Sequence, residues 1–167
     1  MGPEGPGTGF LFTPTITRPR SRGRITLSSA DPSVRPVIEA GYLSAREDRE
    51  RLRDGVRLVF NLLEVDPLRS LASALLSPPV PLQDDAAIDS FIDQTLGSYH
   101  HVSGTAKMGD DTTSVVDLGL RVRGIEGLRV IDASVLPSIP TVNINATVIA
   151  VAERGAELII SEAAKRS

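Results

Sequence analysis

A chain of 167 residues with 41% hydrophobic and 23% charged side chains is long enough for one domain with an apolar core. Its net charge of −3 argues against a binder of nucleic acid or of anionic membranes, since such proteins present a basic surface. The lack of cysteine excludes a disulfide framework and thiolate metal sites, and it fits a cytoplasmic location.

The first part of the chain is predicted to hold two short strands after an irregular start. Residues 1–9 are rich in glycine and proline, and they have neither the early positive charge nor the apolar stretch of a secretory signal. Alternation of apolar residues over 9–17 indicates a strand, in which Pro14 favours an edge or a bulge. Alternation returns over 24–28 and indicates a second strand.

Three helices are predicted next. Ser44 and Glu47 have the S-x-x-E spacing of a capping box, and the helical run that follows stops at Asp66-Pro67. Its apolar positions, which recur at helical spacing, are Leu52, Val56, Phe60 and Leu63. A shorter helix is predicted over 68–76. A third, over 84–96, has an acidic first turn that suits the positive end of the helix dipole.

After Gly97 the pattern changes from helix to loop and strand. Residues 118–125 and 128–132 alternate like strands, and Glu126-Gly127 between them indicates a hairpin-type turn. A proline-containing loop then leads to a final helix over 146–165, whose alanines and glycine let it pack closely against a sheet or a ligand. The most apolar run, 146–152, is too short to cross a bilayer.

The only two histidines of the chain, His100 and His101, are adjacent in the loop after Gly97. Neighbouring side chains of an extended segment point to opposite sides, so only one of the pair can face a given site. Taken alone, such a pair is typical of a solvated or hydrogen-bonded surface feature. No third ligand lies at a zinc-like spacing, and Asp110 and Asp111 have the character of loop acids, so no metal site is predicted.

The segment that begins at His101 carries a family motif. HVSGTAKMG, residues 101–109, resembles the H-x-x-G-T-x-x-M-G signature of the glucose–methanol–choline (GMC) oxidoreductases. Residues 115–159 resemble that family's closing segment of strand, cofactor loop and helix. RPRSRGRITLSSADP and DRERLRDGVRLV resemble the start of its C-terminal region. The resemblance covers residues 10–159, and the order and spacing of the motifs make it specific.

The resemblance implies a flavin enzyme that oxidises alcohols with FAD, and it implies two catalytic residues. His101 fills the first position of the motif and is implied as the base. Removal of the hydroxyl proton makes the C–H bond of an alcohol a better hydride donor, and a neutral histidine can accept that proton. Asn143, in TVNIN, is implied to hold the alcohol oxygen and to donate to the developing alkoxide. Without the resemblance, Asn143 would be interpreted as a turn or helix-entry residue.

Five residues are implied as cofactor contacts. His100 takes the position beside the base, where members of the family approach the flavin. Asn145 and Thr147 belong to the start of the final helix, whose unpaired N–H groups and partial positive charge suit a reduced flavin; Asn145 is also a good N-cap. Asp132 and Ala133, in VIDAS, are implied to reach the ribityl–phosphate region, although Asp132 alone would be interpreted as a turn former.

The sequence lacks the dinucleotide-binding turn of such enzymes. That turn has the pattern G-x-G-x-x-G between a strand and a helix, and the glycine-rich start has prolines and no preceding strand. We therefore expect a partner polypeptide that carries the FAD-binding half, in addition to a small-molecule alcohol substrate. A truncated remnant without activity and a non-catalytic interaction subunit remain alternatives, as does lyase chemistry on the same scaffold.

The predicted fold class is α+β, with a mixed or antiparallel sheet covered by helices. A C-terminal strand–loop–helix is expected to complete a Rossmann-like FAD domain that this chain lacks. The predicted divisions are a loose N-terminus at 1–9, a substrate-binding region at 10–97, and a catalytic loop with the closing segment of the FAD domain at 98–165.

Overall fold

The fold is described from a computed structural model that covers residues 9–166. Most of the predicted loose N-terminus, residues 1–8, lies outside this range. The described residues form four α-helices, two β-strands and one short 3₁₀ helix. None of these helices combines the length and the apolar character that a membrane span requires. The chain divides into two compact units: a first unit of residues 9–16 and 43–97, and a second unit of residues 17–42 and 98–166.

The long helix of the first unit confirms the prediction from periodicity, but it begins differently. Helix α1 spans Arg46–Leu63 and ends before Asp66-Pro67. The residue that precedes it is Ala45, and no side chain caps it, so the predicted box of Ser44 and Glu47 does not form. The reason is positional: Ser44 lies one residue too early to occupy the cap of a helix that starts at Arg46.

The other two helices of the first unit differ in how well they match the prediction. Helix α3, Asp85–Thr95, follows the predicted bounds closely, and the Asp84 carboxylate accepts a hydrogen bond from the Ala87 N–H at 2.8 Å. Helix α2 spans only Leu68–Leu71 of the predicted 68–76. It contains no buried residue, so it lacks the apolar face that normally sustains a longer helix.

The predicted strand over 9–17 is wrong, because this segment has no strand structure. Pro14 removes one backbone donor from any ladder. The segment lies against α1 instead: a Cβ atom on Gly55 would come within 2.9 Å of Cβ of Pro14. Ile16 packs against the apolar core between α1 and α3.

Helices α1 and α3 are joined by an apolar core and by a row of ion pairs. The buried core residues are Leu52, Val56, Ile88 and Ile92. Beside them runs what we call the arginine–aspartate ladder, in which every partner is four residues from the next along its helix. Its pairs are Arg49–Asp93 at 2.7 Å, Arg53–Asp89 at 2.8 Å, and Arg57–Asp85.

The second unit contains a two-stranded antiparallel sheet. Strand β1, Arg24–Thr26, is a shortened form of the strand predicted over 24–28. It pairs with β2, Val37–Glu39, with Ile25 opposite Ile38. Strand β2 was not predicted, because the prolines on either side of SVR favour a break. Every residue of both strands is exposed.

The strands predicted over 118–125 and 128–132 do not form. Isolated bridges take their place, and they join Val116 to Val122 and Arg121 to Arg129. The φ angle of Leu120 is +65°, outside the extended region that a strand needs, and this interrupts the ladder. Leu120 is nevertheless buried with Val116 and Val135, so this irregular segment carries the apolar core of the second unit.

Helix α4, Asn145–Arg166, confirms the predicted final helix and packs on this core. Gly155 is buried at its middle, and a Cβ atom there would come within 2.6 Å of Cγ2 of Ile131. This contact explains why the helix is slim at that point. Near its C-terminal end, Glu162 accepts hydrogen bonds from Arg121 and, at 2.7 Å, from Arg129.

The fold is therefore α+β, as predicted, although its sheet differs from the expected one. Within residues 9–166 the sheet has two strands, and helices do not cover it. The predicted functional division at residue 98 remains a prediction.

Candidate functional site

The histidine segment begins where the first unit ends, at Gly97. The backbone N–H of His100 donates to Oγ of Ser98 at 2.9 Å, which forms a tight local turn. His100 has a φ angle of +61°, a conformation that residues other than glycine rarely adopt. Such local strain is typical of functional segments, because the surrounding structure has to maintain it.

The imidazole of His101 has an unusual environment. Its ring contacts the ring of Tyr99 edge to face, with 5.0 Å between centroids and an interplanar angle of 89°. Nε2 of His101 is buried, yet no described residue forms a hydrogen bond with it, and the same holds for Oγ of Ser103. Buried polar atoms normally have partners, so this loop has hydrogen-bonding capacity that the described chain does not use.

The loop after the histidines is held against the 3₁₀ helix Ala133–Val135. The N–H groups of Ala106 and Met108 donate to the carbonyls of Ser134 and Val135 at 3.0 and 2.8 Å. Gly104 has a φ angle of +87°, and a Cβ atom there would lie 3.3 Å from the carbonyl oxygen of Leu136. A side chain at position 104 would therefore disturb the approach of the two segments.

These contacts bring the Asp132–Ala133 segment next to the loop of the histidine motif. The Asp132 side chain caps the 3₁₀ helix and accepts hydrogen bonds from the hydroxyl and the backbone N–H of Ser134 at 2.5 and 2.7 Å. These two bonds, the hydroxyl first, lower the pKa of the Asp132 carboxyl below its ordinary value. Both bonds end on Oδ1, and no hydrogen bond from another residue in the range 9–166 ends on Oδ2.

The three remaining candidate residues lie around the start of α4. Asn143 is exposed and precedes the helix, Asn145 is the first helical residue, and Thr147 is half-buried in the first turn. Ile144 between the asparagines is buried, and its carbonyl accepts from the N–H of Val148 at 2.8 Å. The capping position therefore falls on Ile144 and not on Asn145.

The structure joins some candidates directly and others not at all. Asp132 and Ala133 directly precede Ser134 and Val135, whose carbonyls accept the backbone hydrogen bonds from the histidine loop. No hydrogen bond among residues 9–166 joins Asn143 to His100 or His101. The roles implied for these residues therefore remain predictions. In the described part of the chain, no group of three potential metal ligands is brought together.

Sequence reasoning treated Asp111 as an ordinary loop acid, whereas the structure makes it the centre of a turn. Its carboxylate accepts hydrogen bonds from Thr113 and Ser114, and it forms an ion pair with Lys107 at 3.0 Å. These partners, above all the Thr113 hydroxyl, hold the pKa of the Asp111 carboxyl far below its usual range. Asp111 is followed two positions later by Thr113, and this spacing is typical of an Asx-turn, so the sequence could have indicated the turn.

Comparisons with known proteins agree on one family. A family model described as GMC oxidoreductase matches residues 19–152. Over 156 residues the chain is 40% identical to an oxygen-dependent choline dehydrogenase of Vibrio vulnificus, and the match covers 92% of this chain and 28% of that protein.

Two solved structures extend the likeness to the fold. Pyridoxine 4-oxidase from Mesorbium loti matches with a TM-score of 0.78 and 35% identity, over 84% of this chain and 28% of that one. A formate oxidase of Aspergillus oryzae, from work on modification of its FAD, matches with a TM-score of 0.79 and 33% identity, over 84% and 25%. The chain thus spans less than a third of the length of these relatives.

Proposed function

Because this chain belongs to the GMC oxidoreductase family, we propose that it is the C-terminal, substrate-side part of an FAD-dependent alcohol oxidase or dehydrogenase. The observation that carries the proposal is the buried Nε2 of His101, the first residue of the family motif, which has no hydrogen-bond partner among the described residues. An unpaired buried nitrogen is costly, so a bound ligand is expected to supply its partner. Relatives named for choline and pyridoxine support a small hydroxylated substrate.

His101 acts in this proposal as the general base. Its unpartnered Nε2 accepts the proton of the substrate hydroxyl, which raises the electron density on the carbon that loses hydride. An imidazole suits this task because it is neutral in part of its population at physiological pH.

Asn143 acts in this proposal as the donor to the substrate oxygen. Its side chain is exposed, and buried Ile144 anchors the backbone beside it. A carboxamide N–H can donate to the oxygen as negative charge develops there, and a preorganised donor of this kind stabilises the transition state. A fixed backbone with an unengaged side chain fits that role.

The residues toward the cofactor fit FAD in part. The first N–H groups of α4, at Asn145 and Thr147, have no partner within the helix, and they suit the anionic side of a flavin ring. Both hydrogen bonds from Ser134 to Asp132 end on Oδ1, so Oδ2 can accept from a sugar hydroxyl. Ala133 follows Asp132 at the start of the 3₁₀ helix, and His100 is the chain neighbour of His101. When bound, FAD supplies the acceptor for the hydride.

The pyrophosphate of FAD needs contacts that these residues do not provide. The sequence has no G-x-G-x-x-G turn, and this turn is what cradles a dinucleotide pyrophosphate. The proposal therefore includes a partner polypeptide that carries such a turn and completes the flavin site. The exposed isoleucines of α4, Ile149 and Ile160 among them, offer apolar surface for that contact.

The test is co-expression of this chain with a polypeptide that carries the G-x-G-x-x-G half, followed by purification and measurement of bound flavin. The wild-type complex is expected to be yellow and to reduce its flavin when an alcohol is added. His101→Gln is expected to retain flavin but to lower the rate of flavin reduction by about 10² to 10⁴, the usual contribution of a general base.

The neighbouring histidine provides the control. His100→Asn keeps a side chain that tolerates a positive φ, so the turn is preserved. It is expected to weaken flavin retention more than it slows flavin reduction. Unchanged flavin reduction in His101→Gln would reject the catalytic role, and a complex without flavin would favour the non-catalytic interaction subunit.

A further inference from the structure

The orientation of the His101 ring needs an explanation, because none of the hydrogen bonds among residues 9–166 involves its imidazole, either at the buried Nε2 or at the second ring nitrogen. In most catalytic histidines a hydrogen bond to the second ring nitrogen fixes the tautomer and the orientation. The contact that the structure shows for this ring is the edge-to-face packing of Tyr99. An aromatic ring can therefore take over the orienting task here.

We propose that Tyr99 is a positioning residue, whose ring holds the His101 imidazole in the orientation that proton transfer requires. The inference rests on the proposed function for His101 and adds a residue that the family motif does not contain. The perpendicular arrangement, at 89° and 5.0 Å, is one that aromatic pairs prefer, so it restricts rotation of the imidazole about its side-chain bonds.

The backbone around the pair supports this role. The hydrogen bond from the His100 N–H to Ser98 and the φ angle of +61° at His100 define the turn that separates Tyr99 from His101. A strained residue persists only where neighbouring interactions maintain it. The ring contact across that residue is such an interaction, so the turn and the ring pair stabilise each other.

The ring of Tyr99, and not its hydroxyl, is the group that makes this contact. Tyr99 is 56% exposed, so its removal leaves no cavity in the core and should not prevent folding. These two facts allow a sharp comparison of variants. Tyr99→Phe keeps the ring and should behave as wild type, whereas Tyr99→Leu keeps an apolar side chain but loses the ring.

The experiment measures His101 in two independent ways. The first is nuclear magnetic resonance of the full chain labelled in histidine, with the His101→Gln spectrum used for assignment. Tyr99→Leu is expected to shift the ring resonances of His101, because the ring current of Tyr99 is lost, and Tyr99→Phe is expected to preserve the His101 pattern. Tyr42→Leu, at the other tyrosine, which is 51% exposed, is the matched control and should leave His101 unchanged.

The second measurement is turnover of the flavin-loaded complex. Tyr99→Leu is expected to lower kcat by about tenfold to a hundredfold with little change in KM, since a small misplacement of a catalytic group has effects of this order. Tyr99→Phe, which keeps the ring, is expected to have the kcat of the wild type. An unshifted His101 in Tyr99→Leu, or a raised KM with normal kcat, overturns the proposal.

The two measurements separate this inference from the proposed function. If His101→Gln retained full turnover, the base assignment would fail. The resonance comparison would still decide whether the Tyr99 ring packs on the imidazole, because it needs neither flavin nor substrate.

Discussion

The two units of this chain are stabilised in different ways. In the first unit, two regular helices face each other across four buried apolar residues and the arginine–aspartate ladder. In the second unit, the core around Val116, Leu120 and Val135 is built from loops, isolated bridges and a 3₁₀ helix. Among the described residues, the two buried side-chain polar atoms without a hydrogen bond are both in the second unit, at His101 and Ser103.

Together with the proposed function, this difference predicts which changes affect stability and which affect turnover. The repeated contacts between the two helices pair the arginine and aspartate side chains of the ladder with each other. Irregular segments can place single polar groups where the backbone alone would not, and functional residues are often found on such loops for this reason. We therefore expect changes in the first unit to affect stability, and changes in the loops of the second unit to affect turnover as well.

Among the changes that compare the two units, the largest effect is expected from Asn143→Ala in the flavin-loaded complex. Loss of a donor to the developing oxyanion should lower kcat by about 10² to 10³. The side chain is exposed, so the melting temperature should barely change. Asn61→Ala, at an exposed asparagine of α1, is the matched control in the first unit and should leave kcat intact. An equal loss of kcat in Asn143→Ala and Asn61→Ala would contradict the expectation that only the second unit affects turnover.

The next effect tests whether the irregular core of the second unit is a true core. Leu120 is 3% exposed, and Leu120→Ala should lower the free energy of unfolding by about 2–5 kcal/mol, measured by urea denaturation. Leu118, two residues earlier and 63% exposed, is the control, and its replacement by alanine should change that free energy by less than about 0.5 kcal/mol. Similar losses at both positions would mean that this core is not packed as described.

A smaller effect is expected from the arginine–aspartate ladder. Arg53 donates to both Asp89 and Asp85, at 2.8 and 2.9 Å, so Arg53→Met should lower the melting temperature, though by less than Leu120→Ala. The difference from wild type should shrink at high salt, because salt screens ion pairs near the surface. Arg46→Met is the control, since Arg46 is highly exposed and pairs only along its own helix with Glu50. If Arg53→Met lowered the melting temperature equally at low and high salt, packing of the Arg53 side chain and not its charge would explain the loss.

The smallest effect concerns pH and Asp132. Hydrogen bonds from Ser134 lower the pKa of this carboxyl below its ordinary value of 3.8, so the ionised form stabilises the fold. That stabilisation is present above the ordinary pKa and is lost as the pH falls through the lowered pKa. Asp132→Asn should therefore reduce the melting temperature at pH 7, and the difference from wild type should shrink below about pH 4.

Asp110→Asn is the reference for this pH series. The Asp110 side chain is exposed and its ion pair with Arg123 is long, at 3.9 Å. Its replacement should change the melting temperature little at any pH. If the difference in melting temperature between Asp132→Asn and wild type stayed constant down to pH 2, the carboxylate charge at Asp132 would not contribute to stability.

Helices were the part of the fold that sequence predicted best. Helices α1, α3 and α4 follow from apolar periodicity and from stop signals such as Asp66-Pro67, and all of these are local along the chain. The strands were predicted poorly. Alternation around Leu120 indicated a strand, but burial of Leu120 with a positive φ decided otherwise, and no local pattern reveals that conformation.

By itself, the sequence determined the family, the candidate pair His101 and Asn143, and the absence of a G-x-G-x-x-G turn, because each depends on residue identity and spacing alone. Only the tertiary structure decided that the histidine loop is held against the 3₁₀ helix Ala133–Val135, that Nε2 of His101 has no partner among the described residues, and that Tyr99 packs on its ring. Burial and hydrogen-bond partners depend on segments that are distant in the chain, and sequence spacing does not encode their approach directly.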